Sequence, residues 1–190
     1  MSAACTCASA ANIPNFERVR VLETPRPISD AVLTDQDGKS FALSQLHGKV
    51  VLVFFGYTNC PDVCPVAMAK WRSLEQSGLL DLDNVAFVLV SVDGDRDTPE
   101  VMKTFLDNFS KRFIGLTAPP AKIKPIARQF SASFFKGNPT GHEGHYDVTH
   151  SSQAFLLDPE GMLRAELYDP PVESMAGIIQ ALLDESSGSD

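Results

Sequence analysis

VVLVFFGYTNCPDVCPVAMAKW, residues 50–71, decides the fold and places the chemistry. Val50 to Tyr57 is a continuous apolar run, the pattern of a central strand buried on both faces of a sheet. It delivers Cys60 and Cys64 at its C-terminal end. Val63 to Gln76 then reads as a helix, with Gly78 just past its end. With Pro65 in the first helical turn, where its missing N–H is harmless, both cysteines lie at or just before the helix N-terminus. A thiol there is expected to have its pKa lowered by the positive end of the helix dipole, which raises the thiolate fraction.

Thiolates bind soft metals and attack disulfides, and the spacing bears on which. Residues four apart on a helix hold their Cβ atoms about 5–6 Å apart, whereas a disulfide needs about 3.5–4.5 Å. A metal held by two bonds of about 2.3 Å tolerates the wider gap. The CxxxC spacing therefore leans toward chelation, although a distorted first turn could still close a disulfide. Pro61 and Asp62 between the cysteines argue for an exposed turn rather than two thiols packed in a core.

Outward from this segment, Ala31 to Thr34 and Lys39 to Leu43 flank DQDG as a hairpin. Asn84 to Val92 is a second buried strand, closed by SVDGDRDTPE; Thr98 can cap, Pro99 open and Glu100 start a helix running to about Phe109. Lys111 to Leu116 is a short apolar segment, and Lys122 to Phe130 a helix interrupted or begun at Pro125. Gly137 to Thr149 is a long polar loop. Gln153 to Leu157, a DPEG turn and Leu163 to Tyr168 form a second hairpin, and Val172 to Leu183 a closing amphipathic helix. This order predicts an α/β fold, a mixed sheet with helices on both faces. Residues 1–26 read as a flexible N-terminal segment, 27–184 as one domain and 185–190 as a flexible tail. Sites in α/β sheets lie beyond the C-terminal strand ends. The cysteines and the Asp-rich turn after the Asn84 strand should therefore be neighbours.

The 190 residues are enough for a proper core, and the net charge of −8 disfavours nucleic acid and leaves no basic patch for anionic lipid. Four cysteines are too few for a disulfide scaffold in a chain of this length. Cys5 and Cys7 fall in the Ala/Ser-rich opening MSAACTCASAAN, read as incidental thiols of a tail, with an auxiliary metal site or a lipidated Cys5 as alternatives. No run is long enough to span a bilayer and no leader resembles a signal peptide, so the chain as given is expected to be soluble. Asp93, Asp95 and Asp97 are spaced like a calcium loop, but Thr98 and Thr104 stand where such a loop needs glycine and glutamate. They read as a solvated turn, with Asp93 a candidate outer partner of the cysteine site.

Of the four histidines, His47 sits in a turn and reads as a surface residue. His142 and His145, in GHEGH, could catch a metal transiently on a flexible loop. His150 stands in VTHSSQAFLLDPEG, immediately before an apolar strand. CPDVCP after an apolar strand, SVDGDRDTPE and YDVTHSSQAFLLDPEG together resemble the Sco/SenC family of thioredoxin-like copper proteins. The resemblance runs from about Pro27 to the closing helix.

It implies a thioredoxin-like fold with an added N-terminal hairpin, and a copper site of Cys60, Cys64 and His150 that binds Cu(I) and Cu(II). It further implies assistance in assembling the CuA centre of cytochrome c oxidase, with the CuA-bearing subunit as partner and an upstream copper donor or a thioredoxin-like reductant as further partners. A periplasmic or membrane-anchored setting follows from the family, although the chain lacks the usual anchor. Two thiolates and an imidazole suit Cu(I), and imidazole also accommodates Cu(II). Asn59 replaces a histidine common in relatives, removing an extra ligand, and Gly94 replaces a proline, implying a looser turn. The alternative is a thiol-disulfide oxidoreductase, with Cys60 and Cys64 as its redox pair, that keeps the oxidase's copper-site cysteines reduced. The CxxxC spacing and the absence of a proline immediately before the strand from Gln153 weigh against it. Nothing in the chain distinguishes a peroxidase on the same fold.

Overall fold

The computed structural model describes residues 13–138 and 146–187. In chain order the elements are β1 (Val19–Pro27), β2 (Val32–Asp35), β3 (Ser40–Ala42), β4 (Val50–Gly56), α1 (Val63–Gln76), β5 (Val85–Ser91), α2 (Pro99–Asp107), β6 (Ile114–Thr117), α3 (Pro120–Gln129), β7 (Phe134–Lys136), β8 (Val148–His150), β9 (Ala154–Leu157), β10 (Met162–Leu167) and α4 (Val172–Ser187). Eight strands form one mixed sheet in the order β1-β10-β9-β4-β5-β6-β2-β3, and β7 and β8 form a separate two-stranded ribbon. This is the expected thioredoxin-like α/β fold, with β2 and β3 as the added hairpin.

Every residue of β4 and β5 is buried, as their continuous apolar sequences require. They pair in parallel from Val50 opposite Val85 to Gly56 opposite Ser91, so both end at the same sheet edge. Successive side chains of β4 point to opposite faces. Phe54 meets the Trp71 ring of α1 edge-on at 6.4 Å, while Phe55 meets Phe130, at the end of α3, at 5.2 Å. Helices therefore cover both faces, and α4 packs beside α1. Large apolar side chains buried in this way stabilise the fold by about 1.5–3 kcal/mol each.

The structure differs from the sequence reading in four places. The segment around Pro25 and Pro27 forms β1, an irregular edge strand antiparallel to β10 whose register shifts between Val21 and Arg26. Prolines are tolerated there because an edge strand leaves one row of N–H groups unpaired. The helix α3 begins at Pro120 and continues through Pro125 rather than starting or breaking there. The polar stretch before His150 is not all loop: Phe134–Lys136 pairs with Val148–His150, placing Phe134 opposite His150. Finally, the turn at Gly94 is tight, not loose. A Cβ on Gly94 would lie 1.9 Å from the Ala118 carbonyl oxygen, so the turn after β5 presses directly on the backbone after β6.

That close approach generates a test. Gly94→Ala forces a backbone shift of the overpacking kind and is expected to destabilise the fold by about 1–3 kcal/mol. Urea denaturation of the reduced protein measures the loss. An unchanged midpoint would mean that the segment at Ala118 moves aside freely.

Candidate metal centre

The end of β4 and the start of α1 build the thiol half of the site. Gly56 closes an otherwise bulky strand because a Cβ there would sit 2.8 Å from the Cys64 sulfur. Cys64 is the second residue of α1 and Pro65 the third, as the sequence predicts. Cys60 precedes the helix in a turn whose backbone N–H donates to the Tyr57 carbonyl at 3.3 Å. Both thiols are free, and neither is on an open surface: Cys64 is fully buried and Cys60 only 9% exposed.

His150 closes the site from the end of β8. Its Nε2 lies 3.4 Å from the Cys64 sulfur and 3.9 Å from the Cys60 sulfur. The three donor atoms all fall within 4.8 Å of one another. The ring's other nitrogen, Nδ1, is 2.9 Å from the Ser151 carbonyl. A carbonyl can only accept, so Nδ1 carries the proton and the Nε2 lone pair faces the sulfurs. A backbone carbonyl on the far nitrogen is a common way of orienting a metal-ligating histidine. Phe54 and Tyr57 stand perpendicular to the imidazole at centroid distances of 5.8 and 5.6 Å. Burial lowers the His150 pKa, keeping the ring neutral at pH 7, the form that ligates.

One sequence expectation is overturned. The helix N-terminus does not lower the Cys64 pKa: burial pushes this thiol well up, against the opposing effect of the Tyr57 backbone N–H that points at the sulfur. Removing the thiolate from water outweighs the dipole at this depth.

The Asp-rich turn is the neighbour it was expected to be. Thr58 donates its backbone N–H and its hydroxyl to Asp97, at 3.1 and 2.6 Å, and Ser91 donates its hydroxyl to the same carboxylate at 2.6 Å. Asp97 is fully buried, and burial raises its pKa despite these bonds. Asp93 does not touch the sulfurs or the imidazole; Arg96 and Tyr146 take its two oxygens. Asp95 pairs with Lys136. The three carboxylates thus have separate partners and do not converge on a cation. His47 is exposed at the opposite end of β4. Cys5, Cys7, His142 and His145 lie outside the described residues. Sequence reasoning missed Tyr57, Thr58, Arg96 and Tyr146, which contact the site or its supports. The glycine closing β4 was the one local signal of how deeply Cys64 is set.

The SCO1/SenC family model matches residues 23–184. The chain belongs to the SCO1/SenC family. A Stutzerimonas stutzeri protein named for copper binding is 32% identical over 190 residues, 97% of this chain and 92% of its own. ScoI of Bradyrhizobium japonicum, solved with copper bound, is 33% identical with a TM-score of 0.72, covering 81% of this chain and 98% of its own. Yeast Sco1, also solved with copper bound, is 26% identical with a TM-score of 0.73, covering 87% and 91%. The SCO1/SenC match spans the cysteine motif, the Asp-rich turn and His150.

The raised Cys64 pKa has a measurable consequence for stability. Folding holds this proton more tightly than the unfolded chain does. The contribution is therefore fully present below the ordinary thiol pKa of 9.0 and is lost as pH rises above it. Urea denaturation of the reduced, metal-free protein between about pH 8 and about pH 10.5 should show stability falling, with much of the slope removed in Cys64→Ala. An identical slope in the variant would show that Cys64 ionises in the folded protein as readily as in the unfolded chain.

Proposed function

We propose that the chain is a copper metallochaperone that binds Cu(I) and Cu(II) through the sulfurs of Cys60 and Cys64 and Nε2 of His150, and that it assists CuA assembly of cytochrome c oxidase. One observation carries the reading: two thiol sulfurs and the unprotonated nitrogen of a neutral imidazole lie within 4.8 Å, with His150 already turned toward both sulfurs. Such a soft, low-coordinate donor set suits Cu(I), and its imidazole accommodates Cu(II). Copper is cargo here. It displaces the thiol protons on loading and leaves by exchange onto a partner's ligands.

The copper-bound relatives support the choice of metal, and family membership supports the oxidase subunit bearing CuA as acceptor. Among the described residues no helix is long and apolar enough to cross a membrane, and the family setting points to a domain working at the periplasmic face. Burial of both cysteines favours this reading over a dithiol enzyme, whose attacking sulfur must be accessible.

Titrating the reduced protein with Cu(I) against a competing chelator tests the ligand set. The expected stoichiometry is one tight equivalent, released protons accompanying it because Cys64 starts protonated at neutral pH. Cys60→Ser/Cys64→Ser should abolish tight binding. His150→Ala should weaken it by at least the about 10–100-fold that loss of an outer-shell partner costs. Oxidation of the pair to a disulfide should leave no tight site. Unchanged stoichiometry and affinity in His150→Ala would rule out the three-ligand site, and dithiol turnover that survived the loss of His150 would favour the oxidoreductase instead.

A further inference from the structure

The turn Asp93–Asp97 offers no donor to the metal centre, yet it grips both segments that do. On one side Asp97 holds Thr58, two residues before Cys60. On the other, Arg96 holds Tyr146, four residues before His150. The Arg96 guanidinium lies 3.7 Å from the centroid of the Tyr146 ring, and its Nη1 donates to the Tyr146 carbonyl at 3.1 Å. Its Nε donates to Asp93, whose other oxygen accepts the Tyr146 hydroxyl. Arg96, Asp93 and Tyr146 thus close a three-membered ring of contacts around a carboxylate that is only 2% exposed. Lys136 of β7 adds a second cation 3.9 Å from the same ring centroid. Arg96 also lies 5.9 Å from the Tyr57 ring, which stands edge-on against the His150 imidazole.

The ribbon carrying His150 has need of such a tether. It consists of three residue pairs and belongs to no larger sheet, and an isolated two-stranded pair is marginal in water. Its far end is fixed by Ser151, which donates its backbone N–H to the Ser133 carbonyl and accepts the Ser133 N–H at its hydroxyl, each at 3.0 Å. The end nearer the turn is fixed by the contacts to Tyr146. Cation–π contacts strengthen as they are withdrawn from water, and charge-assisted hydrogen bonds are about twice as strong as neutral ones.

We infer that Arg96 is a positioning residue for the third ligand: by clasping Tyr146 against Asp93 it keeps His150 turned onto the two sulfurs. The inference rests on the copper reading above. Loosening the clasp lowers the fraction of molecules with the imidazole in place, and apparent affinity falls in proportion to that fraction. The floor is the affinity of the two cysteines alone.

The test pairs Arg96→Met with Arg96→Lys and with His150→Ala in the full chain. Arg96→Met is expected to weaken Cu(I) binding about tenfold when His150 is present and by less than about twofold in the His150→Ala background. It should also diminish the nitrogen hyperfine coupling in the Cu(II) electron paramagnetic resonance spectrum. Arg96→Lys, which keeps the cation but not the fork, should recover part of both. In the reduced, metal-free protein, nitrogen-15 relaxation at residues 148–150 should report added motion in Arg96→Met. Equal losses in the two backgrounds would assign Arg96 a general structural role and overturn the inference, as would unchanged affinity and hyperfine coupling. Should Arg96→Met not fold, Tyr146→Phe keeps the ring, removes the hydroxyl with its bonds to Asp93 and Lys136, and is expected to show the same background-dependent loss. A wild-type chain that bound no Cu(I) would defeat the copper reading itself. Relaxation at His150 in the metal-free variants would then still decide whether the clasp positions it.

Discussion

The parallel pairing of β4 with β5 is the constraint on which the site depends. Seven buried residues on each strand leave no freedom of register, because a slip by one would exchange the faces on which Phe54 and Phe55 pack. Gly56 therefore ends opposite Ser91, and the two loops that follow leave the sheet side by side. One carries Cys60 and Cys64 and the other carries Asp93 and Asp97. The neighbouring antiparallel strand β9 sets Ala154 against Phe54 on the other side of β4, which brings the chain just before it, including His150, to the same edge. The donors converge because three adjacent strands are stopped at one level.

Convergence alone would leave the loops free to drift apart, and the polar contacts beneath them prevent it. Asp97 is fully buried and accepts from Thr58 and Ser91, so the cysteine loop is fastened to the strand beside its own. The Thr117 hydroxyl donates to the Asp97 carbonyl at 2.7 Å, and the tight approach of Gly94 to Ala118 fixes the turn against β6. A buried carboxylate is costly unless its oxygens are satisfied; here they accept three bonds, one from the Ser91 hydroxyl of β5 and two from the N–H and hydroxyl of Thr58 on the ligand-bearing loop. The cost of burial is offset only when all three are in place, which couples the loop geometry to the fold.

How much of this was legible follows from the range of each interaction. The central strands, α1, α2 with its Thr98 cap and Pro99 start, and the closing hairpin are local patterns, and the structure shows them with small shifts of boundary. Cys60, Cys64 and His150 were legible as residue types in motif context, and the shared sheet edge of the cysteines and the Asp-rich turn followed from topology. The ribbon was not: its strands are three residues each, too short for a period, and partly charged. The contacts of Arg96 with Tyr146, 50 residues apart, and of Thr58 with Asp97, 39 apart, leave no local trace. β1 was hidden by its prolines, which mark a strand edge as readily as a loop.

The overturned expectation for Cys64 shows why placement on a helix does not settle ionisation. A helix N-terminus favours an anion by about 0.3–1 kcal/mol, up to about 2 kcal/mol when partly buried. Taking an ion out of water costs several kcal/mol even after the protein relaxes. Cys64 lies where the larger effect wins, enclosed by Gly56 and the start of its own helix. The same desolvation keeps His150 uncharged, so burial favours the neutral forms of both Cys64 and His150 over a thiolate beside an imidazolium. A cation that brings its own charge reverses the balance at the sulfur, because the bonds to metal replace the water that the thiolate lacks. Depth therefore makes the Cys64 thiol slow to ionise on its own and suited to a metal that displaces its proton as it binds.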